Sequence, residues 1–227
     1  MATHVFFDFF GTLVDYDAAV HPAENAPLAF ARRFGAPVGR DEVDARWQRA
    51  WDDLEDGAER TGREFSMRQV VQRYWRSIGA PPLCADAIDT LIAEYLDAWT
   101  QGVTPAHGAG KCLADLATDH RLVIVSNTHD PALVPRLVRR FGFDTTIDRV
   151  ITSVAVGWRK PHPAIFETAL RDCGIRARDA VFVGDNWQAD VEGPRAVGMA
   201  AIYVGRPAAL RPVVTISELP QAIRSLP

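Results

Sequence analysis

The chain has 227 residues, a net charge of −4 and 48% hydrophobic residues, enough for one large domain or a core with a smaller inserted module. The acidic balance excludes the basic patch or stripe that nucleic acid selects, and no stretch approaches the roughly 18 apolar residues of a membrane-spanning helix. Cys84, Cys112 and Cys173 are odd in number and lack C-x-x-C spacing, which argues against a disulfide framework or zinc site and for small buried apolar residues. With no basic, apolar leader at the start, the expectation is a soluble cytoplasmic protein acting on a small molecule, as a monomer or homodimer.

His4 to Phe7 reads as a short buried strand running into Asp8 and a tight loop containing Gly11. From residue 18 to 100 the pattern turns helical. In residues 41–55, Val43, Trp47, Trp51 and Leu54 recur at helical spacing, so the tryptophans are read as helix-packing core. Ser66 can cap a helix through Met67, Val70, Val71 and Tyr74. Residues 85–99 continue with Ile88, Leu91, Ile92, Tyr95 and Leu96. This insert is predicted to be all helical and to span 17–101, leaving 1–16 and 102–227 as the core.

Beyond Pro105, helices and β-branched strands alternate. Helices are expected at 109–116, 131–141, 163–173 and 190–197, and strands at 121–125, 150–152, 180–183 and 200–204. That alternation implies an α/β core, a Rossmann-like parallel sheet with helices on both faces. Three strands end in polar groups: Asp8, Ser126-Asn127 and Gly184-Asp185. In a parallel sheet those ends share one edge, where ligands bind. Carboxylates, a hydroxyl and a lysine converging there suit a divalent cation and an anion. There are only two lysines, Lys111 and Lys160.

At this point the chain resembles a family. Residues 8–13 (DFFGTL), 122–127 (LVIVSN), 157–163 (GWRKPHP) and 182–185 (FVGD) with Asp190 resemble, in order, the four motifs of the haloacid dehalogenase-like hydrolases. Gly193, Arg195, Ala196 and Gly198 fit the helix that follows the fourth motif, and the helical insert resembles that family's cap. The resemblance implies that Asp8 is a covalent nucleophile forming an aspartyl ester. It implies Mg²⁺ held by Asp8, Asp185 and the carbonyl of Phe10, with Asp190 supporting the metal. Ser126 and the amide of Asn127 would hold phosphoryl oxygens, Lys160 would neutralise the crowded negative charge, and Thr12 would stabilise the loop.

One position departs from the pattern. The family's phosphatases carry a second aspartate two residues after the nucleophile as general acid–base; here it is Phe10. Asp15, Asp17, His162 or a residue of the insert would have to substitute. The family's 2-haloacid dehalogenases place an aromatic there and use no metal, and Arg46, Arg49 or Arg60 could then bind a substrate carboxylate. Asp185 with Asp190 in metal-binding spacing favours the phosphatase. A buried, unpaired carboxylate costs several kcal/mol, about 2–7 even for a neutral polar group. The insert from 18 to 100 contains no lysine, which excludes a Schiff base from that segment. The expected activity is a Mg²⁺-dependent phosphatase. A 2-haloacid dehalogenase is the alternative, and a degenerate member binding a phosphorylated ligand without turnover is the third reading.

Overall fold

The computed structural model describes residues 2–17, 23, 25–206 and 213–226. The chain divides into two compact units, 1–16 with 104–227, and 17–103. The predicted start of the helical segment, residues 18–22, lies outside the described residues.

The first unit is built on five parallel strands: β1 (His4–Phe7), β4 (Arg121–Ser126), β5 (Ile147–Thr152), β6 (Ala180–Gly184) and β7 (Ala200–Tyr203). Their order is β5-β4-β1-β6-β7. Strand β1 is therefore central, and Phe7 registers with Ile124 on one side and Val183 on the other. A central parallel strand is covered on both faces, so Val5, Phe6 and Phe7 are all fully buried. On one face Phe6, Val123, Val125 and Phe182 pack against Ile165, Phe166 and Ala169 of α8 (Pro163–Cys173). On the other, α5 (Ala109–Leu116) contacts β4 and the terminal helix, α10 (Leu219–Arg224). Helix α8 has the predicted bounds because its ends are signalled chemically. His162 Nδ1 accepts from the Ala164 amide, Pro163 occupies the first turn, and Gly174 closes the helix in the left-handed region.

Several predicted bounds shift. Strand β5 begins three residues earlier than its apolar end suggested, because exposed Asp148 and Arg149 break the run of apolar residues; Ile147 and Arg149 still pair with β4, while the register shifts past Asp148. Helix α6 (Leu133–Arg140) starts after Pro131 rather than at it. The segment after β6 is not a plain helix from 190: Trp187–Glu192 forms a π-helical turn before α9 (Gly193–Ala196). Two short strands with no sequence signal, β2 (Val14–Tyr16) and β3 (Val103–Pro105), pair with each other. The remaining helix, α7 (Ser153–Val156), follows β5 directly. Cys112 is buried as expected, whereas Cys173 is half-buried and Cys84 exposed; all three are free thiols.

Among the described residues the second unit contains four α-helices: α1 (Asn25–Arg33), α2 (Arg40–Thr61), α3 (Met67–Ser77) and α4 (Ala85–Trp99). Its core is aromatic as well as aliphatic. Trp47 meets Tyr74 edge-on at 5.2 Å and lies 5.0 Å from Tyr95, and Trp51 meets Phe65 at 5.7 Å. The tryptophans are thus packing residues. Among the described residues no helix is long and apolar enough to cross a membrane.

Helix α3 is started by a capping box: Ser66 accepts from the Gln69 amide, and the Gln69 side chain accepts from the Ser66 amide. Ser66→Ala removes one of these bonds and should lower stability by about 1 kcal/mol. Urea unfolding followed by tryptophan fluorescence measures it; an unchanged midpoint would show that packing alone holds this helix.

Candidate functional site

Strand order reverses across β1, so the carboxyl ends of β4, β1 and β6 form the crevice where a parallel sheet binds ligands. Each end supplies a polar residue. Asp8 extends β1, its amide donating to the Val183 carbonyl at 2.9 Å. Ser126 closes β4 and is fully buried. Asp185 follows β6.

Lys160 lies at the centre. Its Nζ donates to Asp8 Oδ1 at 2.6 Å and to Asp190 Oδ1 at 2.7 Å, and it sits 5.0 Å from the centroid of the Phe182 ring. All three charged groups are nearly inaccessible, at 4%, 7% and 1% exposure for Lys160, Asp8 and Asp190. Burial works against the Lys160 charge, but the Asp190 and Asp8 carboxylates more than offset it and hold the ammonium above its ordinary value. Burial also pushes the Asp8 carboxyl up to about 7; Lys160 opposes this and Asp190 adds to it. Asp185 is raised as well, by burial first and Asp190 second.

The predicted residues converge unevenly. Carboxylate oxygens of Asp8, Asp185 and Asp190 lie within 4.8 Å of one another, a hard-oxygen set that suits Mg²⁺. Asp190 accepts on both oxygens, from Lys160 and, at 2.9 Å, from the Asn186 amide. That fits it to orient Lys160 and the π-helical turn. Thr12 Oγ1 reaches Asp185 at 3.5 Å, a weak bond at the distance limit. Phe10 bridges its backbone to Val14 and sets its ring edge-on to Phe9 at 5.1 Å. Ser126 does not cap a helix; its Oγ makes only a long contact, 3.4 Å, to the Asn127 carbonyl.

Sequence reasoning missed several positioning groups. The Asn127 side chain clamps the backbone of Lys160, donating to its carbonyl at 3.0 Å and accepting from its amide at 2.8 Å. A side-chain amide carries both a donor and an acceptor and so can do both. Asn186 caps the turn bearing Asp190 by accepting from the Ala189 amide at 3.0 Å. Two glycines are required by close approach. A Cβ on Gly11 would lie 2.4 Å from Asp185 Oδ2, at a φ of +84° that already disfavours side chains, and one on Gly184 would lie 2.4 Å from Asp190 Cγ. Of the substitute acids, Asp15 and Asp17 are exposed. His162 uses Nδ1 to cap α8 and stacks on Trp158 at 3.8 Å.

With Asp8, Ser126, Lys160 and the Asp185–Asp190 loop around one sheet edge, residues 2–198 match the haloacid dehalogenase-like hydrolases. The chain belongs to that family. Among its relatives is the human haloacid dehalogenase-like hydrolase domain-containing protein 3, 45% identical over 94 residues. That match covers 41% of this chain and 37% of the human protein, so the chain spans little over a third of that relative's length. The ribulose-1,5-bisphosphate 5-phosphatase of Halopiger xanaduensis is 24% identical over 202 residues, covering 89% of this chain and 84% of that enzyme. A solved structure of 2-haloacid dehalogenase from Pseudomonas syringae pv. tomato superposes with a TM-score of 0.71 at 24% identity, covering 99% of both chains. At that identity it shares the fold with this member of the haloacid dehalogenase-like hydrolases.

Lys160→Met should leave the Asp8 and Asp190 carboxylates buried and uncompensated, at a penalty of about 3–5 kcal/mol. Without the ammonium the Asp8 carboxyl climbs further above its unfolded value of 3.8. A raised folded value means that stability falls as pH rises, so the penalty should be larger at pH 8 than at pH 5. Denaturant unfolding in chelator at the two pH values checks this; equal penalties would mean that lost packing, rather than charge, dominates.

Proposed function

We propose that the chain is a Mg²⁺-dependent phosphatase acting on a small phosphorylated metabolite through an aspartyl-phosphate formed at Asp8. The observation that carries this reading is the half-buried carboxylate of Asp185 beside Asp8 and Asp190. Three carboxylates face a single buried ammonium, leaving an excess of negative charge that a divalent cation would balance. The match of most of the chain to the Halopiger phosphatase supports it.

Asp8, Asp185 and the Phe10 carbonyl are the groups that would hold Mg²⁺, with Asp190 behind them. When bound, the ion would supply charge neutralisation for a phosphate dianion approaching the Asp8 carboxylate. Asp8 attacks phosphorus as the bond from phosphorus to the ester oxygen breaks, and the leaving group departs as its oxyanion and takes its proton from water. Lys160 keeps Asp8 oriented and offsets the charge that builds on the phosphoryl group. The Ser126 hydroxyl, which has only one long contact, and the Asn127 amide are the donors for phosphoryl oxygens. Asn127 also fixes the Lys160 loop, so its side chain acts through lysine rather than on substrate.

Phe10 sets the limits of this chemistry. It can neither protonate a leaving group nor activate water, functions that contribute about 10²–10⁴-fold. Esters with acidic leaving groups, such as aryl and acyl phosphates, are therefore the preferred class. Phe10 also favours a second reading, a 2-haloacid dehalogenase, because a halide departs without a proton. Asp185 weighs against it, since a carboxylate substrate would add negative charge to an already acidic site.

Two measurements test the proposal. An aryl phosphate with Mg²⁺ should release a burst of one aryl alcohol per site, followed by slow turnover, because nothing at position 10 activates water for dephosphorylation. The burst should vanish with chelator and in Asp8→Asn. Release of halide from 2-haloacids without metal, in place of the burst, would overturn the phosphatase reading. Separately, Mg²⁺ must displace a proton from the Asp8 carboxyl, held near 7. Affinity should fall about tenfold per pH unit below 7 and level off above it, with proton release visible by calorimetry in buffers of different ionisation heat. A flat profile would mean that Asp8 does not ligate the metal.

A further inference from the structure

Helices α2 and α3 bring four arginines to one cavity. Arg46 and Arg49 lie three residues apart on α2, and Arg73 and Arg76 three apart on α3, so each pair shares a helix face. With Ala50, Asp53 and Ser77 they line a space of about 360 Å³. Four arginines against two carboxylates, Asp53 in the lining and Glu42 on Arg46, leave a local charge of +2 in a chain whose net charge is −4.

Two of the four are anchored. Arg46 grips Glu42 through Nε at 2.9 Å and Nη2 at 2.7 Å and also donates to the Ser77 carbonyl. Arg73 grips Asp53 through Nε at 3.0 Å and Nη2 at 2.7 Å. A guanidinium carries five N–H donors, so both keep donors to spare. Arg49 and Arg76 are exposed and, among the described residues, pair with no carboxylate. Single solvated arginines call for no explanation, but here two arginines without a carboxylate partner share a concavity with two anchored ones, an arrangement that an entering anion would stabilise. The planar guanidinium fork matches phosphate oxygens two at a time.

We propose that this cavity is a second ligand site, for a diphosphate group. The site is built wholly from α2 and α3, so its occupancy does not depend on Asp8 or on the proposed phosphatase chemistry. The diphosphate could be inorganic pyrophosphate or the terminus of an organic molecule such as a nucleoside diphosphate, which offers the same pair of linked phosphoryl groups.

The test is calorimetric titration of the full chain with pyrophosphate and with ADP, at low salt and in chelator. One pyrophosphate should bind per chain, retained in Asp8→Asn and weakened about tenfold or more in Arg49→Ala/Arg76→Ala, whose spared arginines keep their ion pairs. That double variant should unfold at the same urea midpoint as the parent chain, which separates lost binding from lost fold. Tighter binding of ADP assigns the diphosphate to an organic carrier; binding of pyrophosphate alone assigns it to the inorganic ion. Unchanged affinity in the double variant, citrate binding as tightly as pyrophosphate, or no binding at millimolar concentration would overturn the proposal.

Discussion

A buried ammonium shared between two buried carboxylates constrains everything around it. Lys160, Asp8 and Asp190 are each more than nine-tenths inaccessible, and each would be severely penalised alone. The geometry must therefore be held tightly, and the surrounding sequence holds it. Asn127 fastens both backbone polar groups of Lys160. The π-helical turn and the Asn186 amide aim Asp190, and Gly184 lacks the Cβ that would displace it. Gly11 performs the same service for Asp185. The Asn127 side chain, Gly184 and Gly11 serve to position the charged cluster rather than to react.

Topology explains why the cluster sits where it does. With order β5-β4-β1-β6-β7, the chain winds away from β1 in one direction and returns on its other side. The ends of β4 and β6 are thereby the nearest neighbours of Asp8. A long apolar core beneath, from Phe6 to Phe182, excludes water from the base of the crevice. That dryness is what raises the Asp8 carboxyl and makes a compensating cation valuable. The same low dielectric that strengthens Lys160–Asp8 also magnifies the repulsion among the three carboxylates.

The fold was legible because its signals are redundant. A buried central strand, capped α8 with Pro163 and Gly174, and the Ser66-x-x-Gln69 cap each announce themselves locally. The shared sheet edge followed from three strands ending in polar residues. Less legible were features that depend on contacts distant in sequence. Strands β2 and β3 are three residues each, too short for any periodicity, and exist because they pair with one another. The early start of β5 is concealed by outward-facing Asp148 and Arg149. The clamp of Asn127 on Lys160 joins residues 33 apart, and nothing near either residue signals it. Asp190 could be placed at the acidic site, but that Lys160 would occupy one of its oxygens is a fact of three-dimensional packing.

Phe10 shows how separable charge balance and proton transfer are in such a site. An aspartate there would add a fourth carboxylate to three that already share one ammonium. A phenyl ring, packed edge-on against Phe9, brings no such charge. Asp8, its Lys160 counter-charge, the acidic pair Asp185 and Asp190 and the buried Ser126 hydroxyl all remain, so the groups that the proposed phosphatase chemistry needs for charge balance are in place. What the proposed reaction would then lack at position 10 is the proton, both for the departing alcohol and for the water that would follow. Charge stabilisation lowers the barrier for any substrate that reaches Asp8, whereas the missing acid matters only in proportion to the basicity of the leaving group. Under the proposed phosphatase chemistry, Phe10 would therefore filter substrates by leaving group while leaving the Asp8, Lys160, Asp185 and Asp190 cluster in place.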